Sequence, residues 1–211
     1  ARIVDIGANY GLYALSLAFA AGPQGRVWAV EPASATAGYL RQSVEANALA
    51  NVSVIRTALS DRDGTARLSV EDNPELNSLS DDGSGATEEV ALTTLDALAA
   101  AQDWGAIDVL KLDAEGEEER IVAGGARFLR EASPLVMFEI RHGGKLNLGL
   151  AGRLAALGYT TYRLLPGPGL LVPWDAGAPL DDFQLNLLAC KPDRAGRLAR
   201  AGKLEDGAGP R

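Results

Sequence analysis

At 211 residues, 47% hydrophobic and 23% charged, the chain has the size and composition of one folded domain with a sizeable core. A net charge of −8 and a sequence pI of about 4.7 argue against a nucleic-acid or anionic-membrane partner. The single cysteine, Cys190, excludes an internal disulfide or a paired-cysteine metal site, and no apolar run reaches the ~18 residues a bilayer span needs. The expectation is a soluble, cytoplasmic protein with one domain over residues 1–192 and a flexible tail over 193–211. The chain opens at Ala1 inside a strand, so an upstream segment is expected as well.

In chain order, Ile3 to Ile6 reads as a buried strand that runs into the turn Gly7-Ala8-Asn9-Tyr10-Gly11. A helix with Leu12, Leu15, Leu17 and Ala18 at helical spacing leads out of the turn and stops at Gly22-Pro23. Arg26 to Val30 is a second strand, ending on Glu31-Pro32, and Ser34 to Asn47 is helical with Leu40 and Val44 inward. Val52 to Ile55 is a third strand. Asp61-Arg62-Asp63-Gly64 signals a hairpin, with Thr65 to Val70 returning from it. Glu71 to Thr87 is polar and has little to bury; it reads as a surface loop or a substrate-facing lid, with Asn77-Ser78 the part expected to touch a ligand.

Glu88 to Leu92 reads as a short edge strand, and Thr93 or Thr94 as the cap of a helix running to Ala101. Ile107 to Leu112 is a fourth parallel-type strand, followed by Asp113-Ala114-Glu115-Gly116 and an acidic helix from Glu117. Leu135 to Ile140 is a fifth strand, and Lys145 to Leu157 an amphipathic helix. Tyr159 to Leu164 and Leu185 to Cys190 are two last strands, joined by a Pro/Gly-rich loop that holds Trp174. Asp193 onward reads as a frayed helix or tail.

Strand and helix alternate, which predicts a parallel sheet with helices on both faces and a ligand beyond the carboxyl ends of the strands. Asp5 to Gly11, Glu31, Asp113 to Gly116 and Glu139 to His142 would meet there. Glu31, at the tip of the second strand, suits a ribose diol. Asn9 stands where the dinucleotide fingerprint has its second glycine, and Asp5 places a carboxylate where a pyrophosphate would be repelled. S-adenosylmethionine carries an ammonium and a sulfonium and no phosphate, so charge favours it over NAD.

Val4-Asp5-Ile6-Gly7-Ala8-Asn9-Tyr10-Gly11, Val30-Glu31-Pro32, Thr94-Leu95-Asp96, Leu110-Lys111-Leu112-Asp113-Ala114-Glu115-Gly116, Phe138-Glu139-Ile140 and Asn186-Leu187-Leu188-Ala189 together resemble the FkbM family of S-adenosylmethionine-dependent methyltransferases. The resemblance spans Ile3 to Cys190, and K-x-D-x-E-G is its most distinctive element. It implies a class I methyltransferase fold: an α/β, Rossmann-like three-layer sandwich whose mostly parallel seven-stranded sheet has an antiparallel last strand. It also implies O-methylation of a hydroxyl, often on a sugar or natural product.

On this reading Asp5, Gly7, Asn9, Gly11, Glu31, Ser60 and Asp113 form the cofactor site, with Ser60 expected near the adenine. Asp113 and Glu115 lie beside the methyl position, and Asp113, Glu139 or His142 would take the hydroxyl proton. A helix N-cap is the competing account of Asp113. Lys111 is expected either to pair with a neighbouring acid or to reach out to solvent. Asp113, Glu139 and His142 offer a donor set for a divalent cation, but nothing in the spacing demands one and no metal is assigned. The expected partner is a small-molecule hydroxyl acceptor. The alternatives are an NAD-dependent oxidoreductase on a related fold and a non-catalytic cofactor-binding domain of a larger protein.

Overall fold

Short runs of Val, Ile and Leu, buried on both sides, build the centre of the molecule, as parallel strands covered by helices require. The computed structural model describes residues 1–70, 77–79, 86–142, 145–146, 148–175, 177 and 186–205, with backbone alone at 141–142 and 145–146. In chain order the elements are β1 (Arg2–Ile6), α1 (Leu12–Ala21), β2 (Arg26–Val30), α2 (Ser34–Ala46), β3 (Val52–Ile55), β4 (Ala58–Ser60), β5 (Gly64–Ser69), β6 (Thr87–Thr94) and α3 (Leu95–Ala101). Then come β7 (Val109–Leu112), α4 (Glu118–Gly124), α5 (Ala126–Ala132), β8 (Leu135–Glu139), β9 (Arg141–His142), β10 (Lys145–Leu146), α6 (Gly149–Ala156), β11 (Thr160–Leu165), β12 (Leu170–Pro173), β13 (Asn186–Cys190) and α7 (Pro192–Arg200).

The main sheet has the order β12-β11-β13-β8-β7-β1-β2-β3. Strands β3, β2, β1, β7 and β8 pair in parallel, and β13 enters antiparallel between β8 and β11. The antiparallel last strand is therefore as expected, but the sheet has eight strands rather than seven. The additional strand is β12, which pairs antiparallel with β11 from within the Pro/Gly-rich loop. Leu171 and Val172 are buried there, and Trp174 packs against the main core.

A separate three-stranded sheet has the order β4-β6-β5. The Asp61–Gly64 turn does connect two strands, but they do not pair with each other. β6 lies between them, parallel to β4 and antiparallel to β5. The segment expected as a short edge strand is thus the middle of this sheet. Thr94 caps α3 by accepting from the Ala97 N–H at 3.1 Å. Asp96 accepts from the Phe128 N–H at 2.7 Å, so the Thr-Leu-Asp motif starts one helix and ties down the first turn of α5.

Side chains alternate across β1. Val4 and Ile6 join the larger core with Leu110, Leu112 and Phe138, whereas Ile3 packs with Ala14, Ala18 and Leu40 beneath α1 and α2. Asp5 shares the second face with Ile3. The region expected as a frayed helix or tail contains α7, and Leu204 beyond it packs with Leu171 and Tyr162. No helix among the described residues is long and apolar enough to cross a membrane.

Candidate active site

The carboxyl ends of β1, β2, β7 and β8 open onto one cavity of about 450 Å³, a volume in the usual range for small-molecule sites. Its floor is the turn after β1. Gly7 has φ +72°, Asn9 +50° and Gly11 +98°, backbone conformations that favour glycine and, less strongly, asparagine. A Cβ on Gly7 would stand 1.6 Å from the Asp113 carbonyl oxygen, and one on Gly11 would strike Leu40. Gly7 therefore lets the turn lie directly against the end of β7, where the Asp113 N–H donates to the Ile6 carbonyl at 3.2 Å.

Every N–H of this turn already has an acceptor. Gly7 and Ala8 both donate to the Val30 carbonyl at 3.0 Å, and Gly11 donates to the Ala8 carbonyl at 2.9 Å. Asn9 donates to Glu31 Oε2 at 2.9 Å, and Tyr10 to the Asn9 side-chain oxygen at 2.8 Å. Glu31 also accepts from the Ala33 N–H at 2.9 Å through Oε1, so its carboxylate is gripped on both oxygens. Burial raises its pKa, opposed by the Ala33 and Asn9 N–H groups. Each oxygen keeps a further lone pair, and Glu31 lines the cavity, where a ribose diol could donate to it.

Asp5 is fully buried below the turn and is not part of the cavity wall. Among the described residues no donor comes within 3.5 Å of its oxygens in hydrogen-bonding geometry, and the Ala14 N–H and the Lys111 ammonium are the groups turned toward them. Burial pushes its pKa up to about 6, against the pull of Lys111. The Lys111 ammonium lies 3.6 Å from Asp5 and 2.8 Å from Asp113 Oδ2, so the lysine pairs with neighbouring acids rather than reaching solvent. The ring of Tyr13 covers it at 4.7 Å.

Asp113 does not cap α4. Glu118, which the sequence reading missed, accepts from the Ala114 N–H at 2.8 Å and from the Gly116 N–H. It thereby shapes the turn that presents Asp113 and Glu115, with Glu115 at φ +45°. Ser60 was expected near the adenine but is buried outside the cavity wall and donates to Glu117 Oε2 at 2.7 Å. Glu117 lines the cavity in its place. Gly11 likewise sets the turn without facing the ligand space. Asn77 and Ser78 do reach the cavity wall, held by the Ser69 N–H donating to the Ser78 carbonyl at 2.9 Å. The side chain of His142 lies outside the described residues, as does most of the Glu71–Thr87 segment.

Among the described residues, carboxylate oxygens of Asp113, Glu115 and Glu139 come within 4.8 Å of one another. Burial first, then the charge of Asp113 and its hydrogen bond, push the Glu139 pKa up to about 7. Protonation of Glu139 relieves its repulsion from Asp113, so Glu139 can exchange a proton near neutral pH.

The raised pKa also has a stability consequence. Glu139 binds a proton more tightly in the folded state, so its contribution is full below the unfolded value near 4.5 and is lost as pH rises through about 7. Glu139→Gln, whose amide can still donate to Asp113, is therefore expected to gain stability over the parent between pH 5 and pH 8. Urea midpoints at the two pH values measure this; equal shifts at both would show that Glu139 is not perturbed.

A family model of the methyltransferase FkbM domain matches residues 5–160. Among solved structures, the methyltransferase FkbM of Methylobacillus flagellatus KT superposes with a TM-score of 0.60 at 17% identity, over 90% of this chain and 43% of that one. Precorrin-6y C5,15-methyltransferase of Geobacter metallireducens GS-15 gives a TM-score of 0.50 at 12% identity, over 90% of this chain and 77% of that one. Aeropyrum pernix fibrillarin, a complex with natively bound S-adenosyl-L-methionine, gives 0.50 at 14%, over 90% and 65%. A search of curated proteins gave no match. The chain spans less than half of the FkbM protein on which it superposes. The superpositions establish the class I methyltransferase fold. The family model, which covers well over half of the 211 residues and begins at the buried acid of the first strand, shows that this chain belongs to the FkbM methyltransferase family.

Proposed function

We propose that the chain uses S-adenosylmethionine to methylate a hydroxyl on a small molecule of sugar or natural-product type. The observation that carries the choice of cofactor is the turn after β1, whose five N–H groups are all engaged within the protein. A dinucleotide-binding turn must point free N–H groups at a pyrophosphate. This turn has none to offer, and it lies between the carboxylates of Asp5 and Glu31. A cationic cofactor without phosphate fits that environment; a pyrophosphate does not. The S-adenosyl-L-methionine held by the fibrillarin of the same fold supports the reading.

When bound, the cofactor supplies a methyl group on a sulfonium. The chain's own part is to position the acceptor and receive its proton. Glu31 holds the ribose, and the turn sets the depth of the site. Glu139 faces the cavity beside Asp113, its proton affinity raised toward that suited to an alcohol that loses its proton as it is alkylated. The acids of the cavity wall disfavour polyanionic acceptors and leave neutral polyols and polyketide-like alcohols. Cys190, the only cysteine, is buried and unpaired, which suits the reducing cytoplasm.

Calorimetric titration tests the cofactor, with S-adenosylhomocysteine expected to bind and NADH not to bind. Labelled methyl transfer across neutral sugars, glycosides and polyketide alcohols tests the acceptor class. Tight NADH binding would overturn the cofactor, and transfer to amines or carboxylates alone would overturn hydroxyl methylation.

A further inference from the structure

We propose that Lys111 is the receptor for the methionyl carboxylate of the cofactor, an inference that rests on the cofactor reading above. The cofactor's amino-acid end is a zwitterion, and its carboxylate needs donors. The N–H groups of residues 7–11, where a strand–turn–helix unit offers donors to an anion, are consumed by Val30, Glu31, Asn9 and Ala8. Among the described residues, the charged side chains of the cavity wall are Glu31, Asp113, Glu115, Glu117 and Glu139 on the acidic side and Lys111 as the one cation. An incoming carboxylate is repelled by the first group and attracted by the last.

The ammonium is placed and prepared for this. Lys111 is 3% exposed yet lines the cavity. An ammonium has three N–H groups, and the described residues take one of them, through Asp113 Oδ2 at 2.8 Å. Asp5 at 3.6 Å balances the charge from beyond hydrogen-bond reach, and the Tyr13 ring closes one side. Burial works against the charge, but Asp5 and Asp113 outweigh it and hold the lysine protonated above its ordinary value.

Register gives the span. Lys111 stands beside Asp5 on β7, and Glu31 follows β2 on the other side of β1. Strands two places apart are separated by about 10 Å, so the ribose clamp and the ammonium flank the turn from opposite sides. The thioether-linked amino-acid chain would bridge them across the glycines. Asp5, which cannot touch the ligand, then acts through Lys111 as a positioning residue.

The test uses three ligands that share one nucleoside. Wild type and Lys111→Met are titrated calorimetrically with S-adenosylhomocysteine, with 5′-methylthioadenosine, which lacks the amino-acid end, and with decarboxylated S-adenosylhomocysteine, which lacks only the carboxylate. The substitution is expected to weaken S-adenosylhomocysteine about 10- to 100-fold, the loss of one charge-assisted hydrogen bond, and to leave the other two ligands within about twofold. Unchanged affinity for S-adenosylhomocysteine would overturn the proposal and assign the carboxylate to the start of α1. An equal loss for all three ligands would also overturn it, reducing Lys111 to a shaper of the pocket. Should the single variant fail to fold with Asp5 uncompensated, the double variant Asp5→Asn, Lys111→Met removes both charges and answers the same question. Wild type binding none of the three ligands would instead reject the cofactor reading itself.

Discussion

Replacing Gly7 with alanine is expected to cost about 3–5 kcal/mol of folding stability, more than the same change at Gly22. Both glycines have positive φ, +72° and +69°, where an L-residue is strained by about 1–3 kcal/mol. Their surroundings differ. A Cβ on Gly22 meets nothing within 4 Å, whereas one on Gly7 lands on the carbonyl of Asp113. That oxygen is backbone at the end of a central strand and cannot step aside without parting β1 from β7. Urea unfolding of the two variants measures the difference. Any relaxation that accommodates the methyl must also shift Asp113 against the turn, so the surviving folded protein should bind S-adenosylhomocysteine poorly. Equal losses at the two positions would show that the turn does not rest on Asp113.

Glu31→Ala is expected to lower affinity for S-adenosylhomocysteine at least 100-fold. Two charge-assisted hydrogen bonds to a ribose diol, each worth about 1.5–3 kcal/mol, account for that factor. The variant should also lose about 2 kcal/mol of stability, because the N–H groups of Asn9 and Ala33 lose their acceptor. Glu31→Gln separates the two effects. It keeps one oxygen for a backbone N–H but turns an amide nitrogen toward the other, and it removes the charge that the hydroxyls would meet. Calorimetry read beside urea midpoints makes the comparison, and full affinity in the alanine variant would remove Glu31 from the ribose site.

Several site roles changed between sequence and structure for one common reason. Asp5 was read as a cofactor contact because it precedes the glycine turn, but its side chain faces α1 and Lys111, and the turn covers it. Ser60 was placed near the adenine from its position after the third strand, yet it serves Glu117. Glu118 stood in plain sight in the run Asp113-Ala114-Glu115-Gly116-Glu117-Glu118, but which of its four acids turns inward depends on the left-handed Glu115 and Gly116. In each case the missing information was three-dimensional: a distant partner for Asp5 and Ser60, and the left-handed turn for Glu118. β12 is not legible in the sequence because its four residues, Leu170–Pro173, carry too little pattern to mark a strand. β6 was taken for an edge because alternation shows that a strand exists, not what flanks it.

The alternation of strand and helix, the glycine turn, the acids at the strand tips and the family are legible in the residues alone. Those are local properties: apolar runs buried on both sides, glycine at positive φ, and motifs of fixed spacing. Folding in three dimensions adds that the turn keeps its N–H groups for itself, that Lys111 sits between Asp5 and Asp113, and that Glu139, buried beside Asp113, has a raised proton affinity. Those facts depend on β1 lying between β7 and β2. Burial then turns the resulting distances of a few ångströms into charge states that composition cannot reveal.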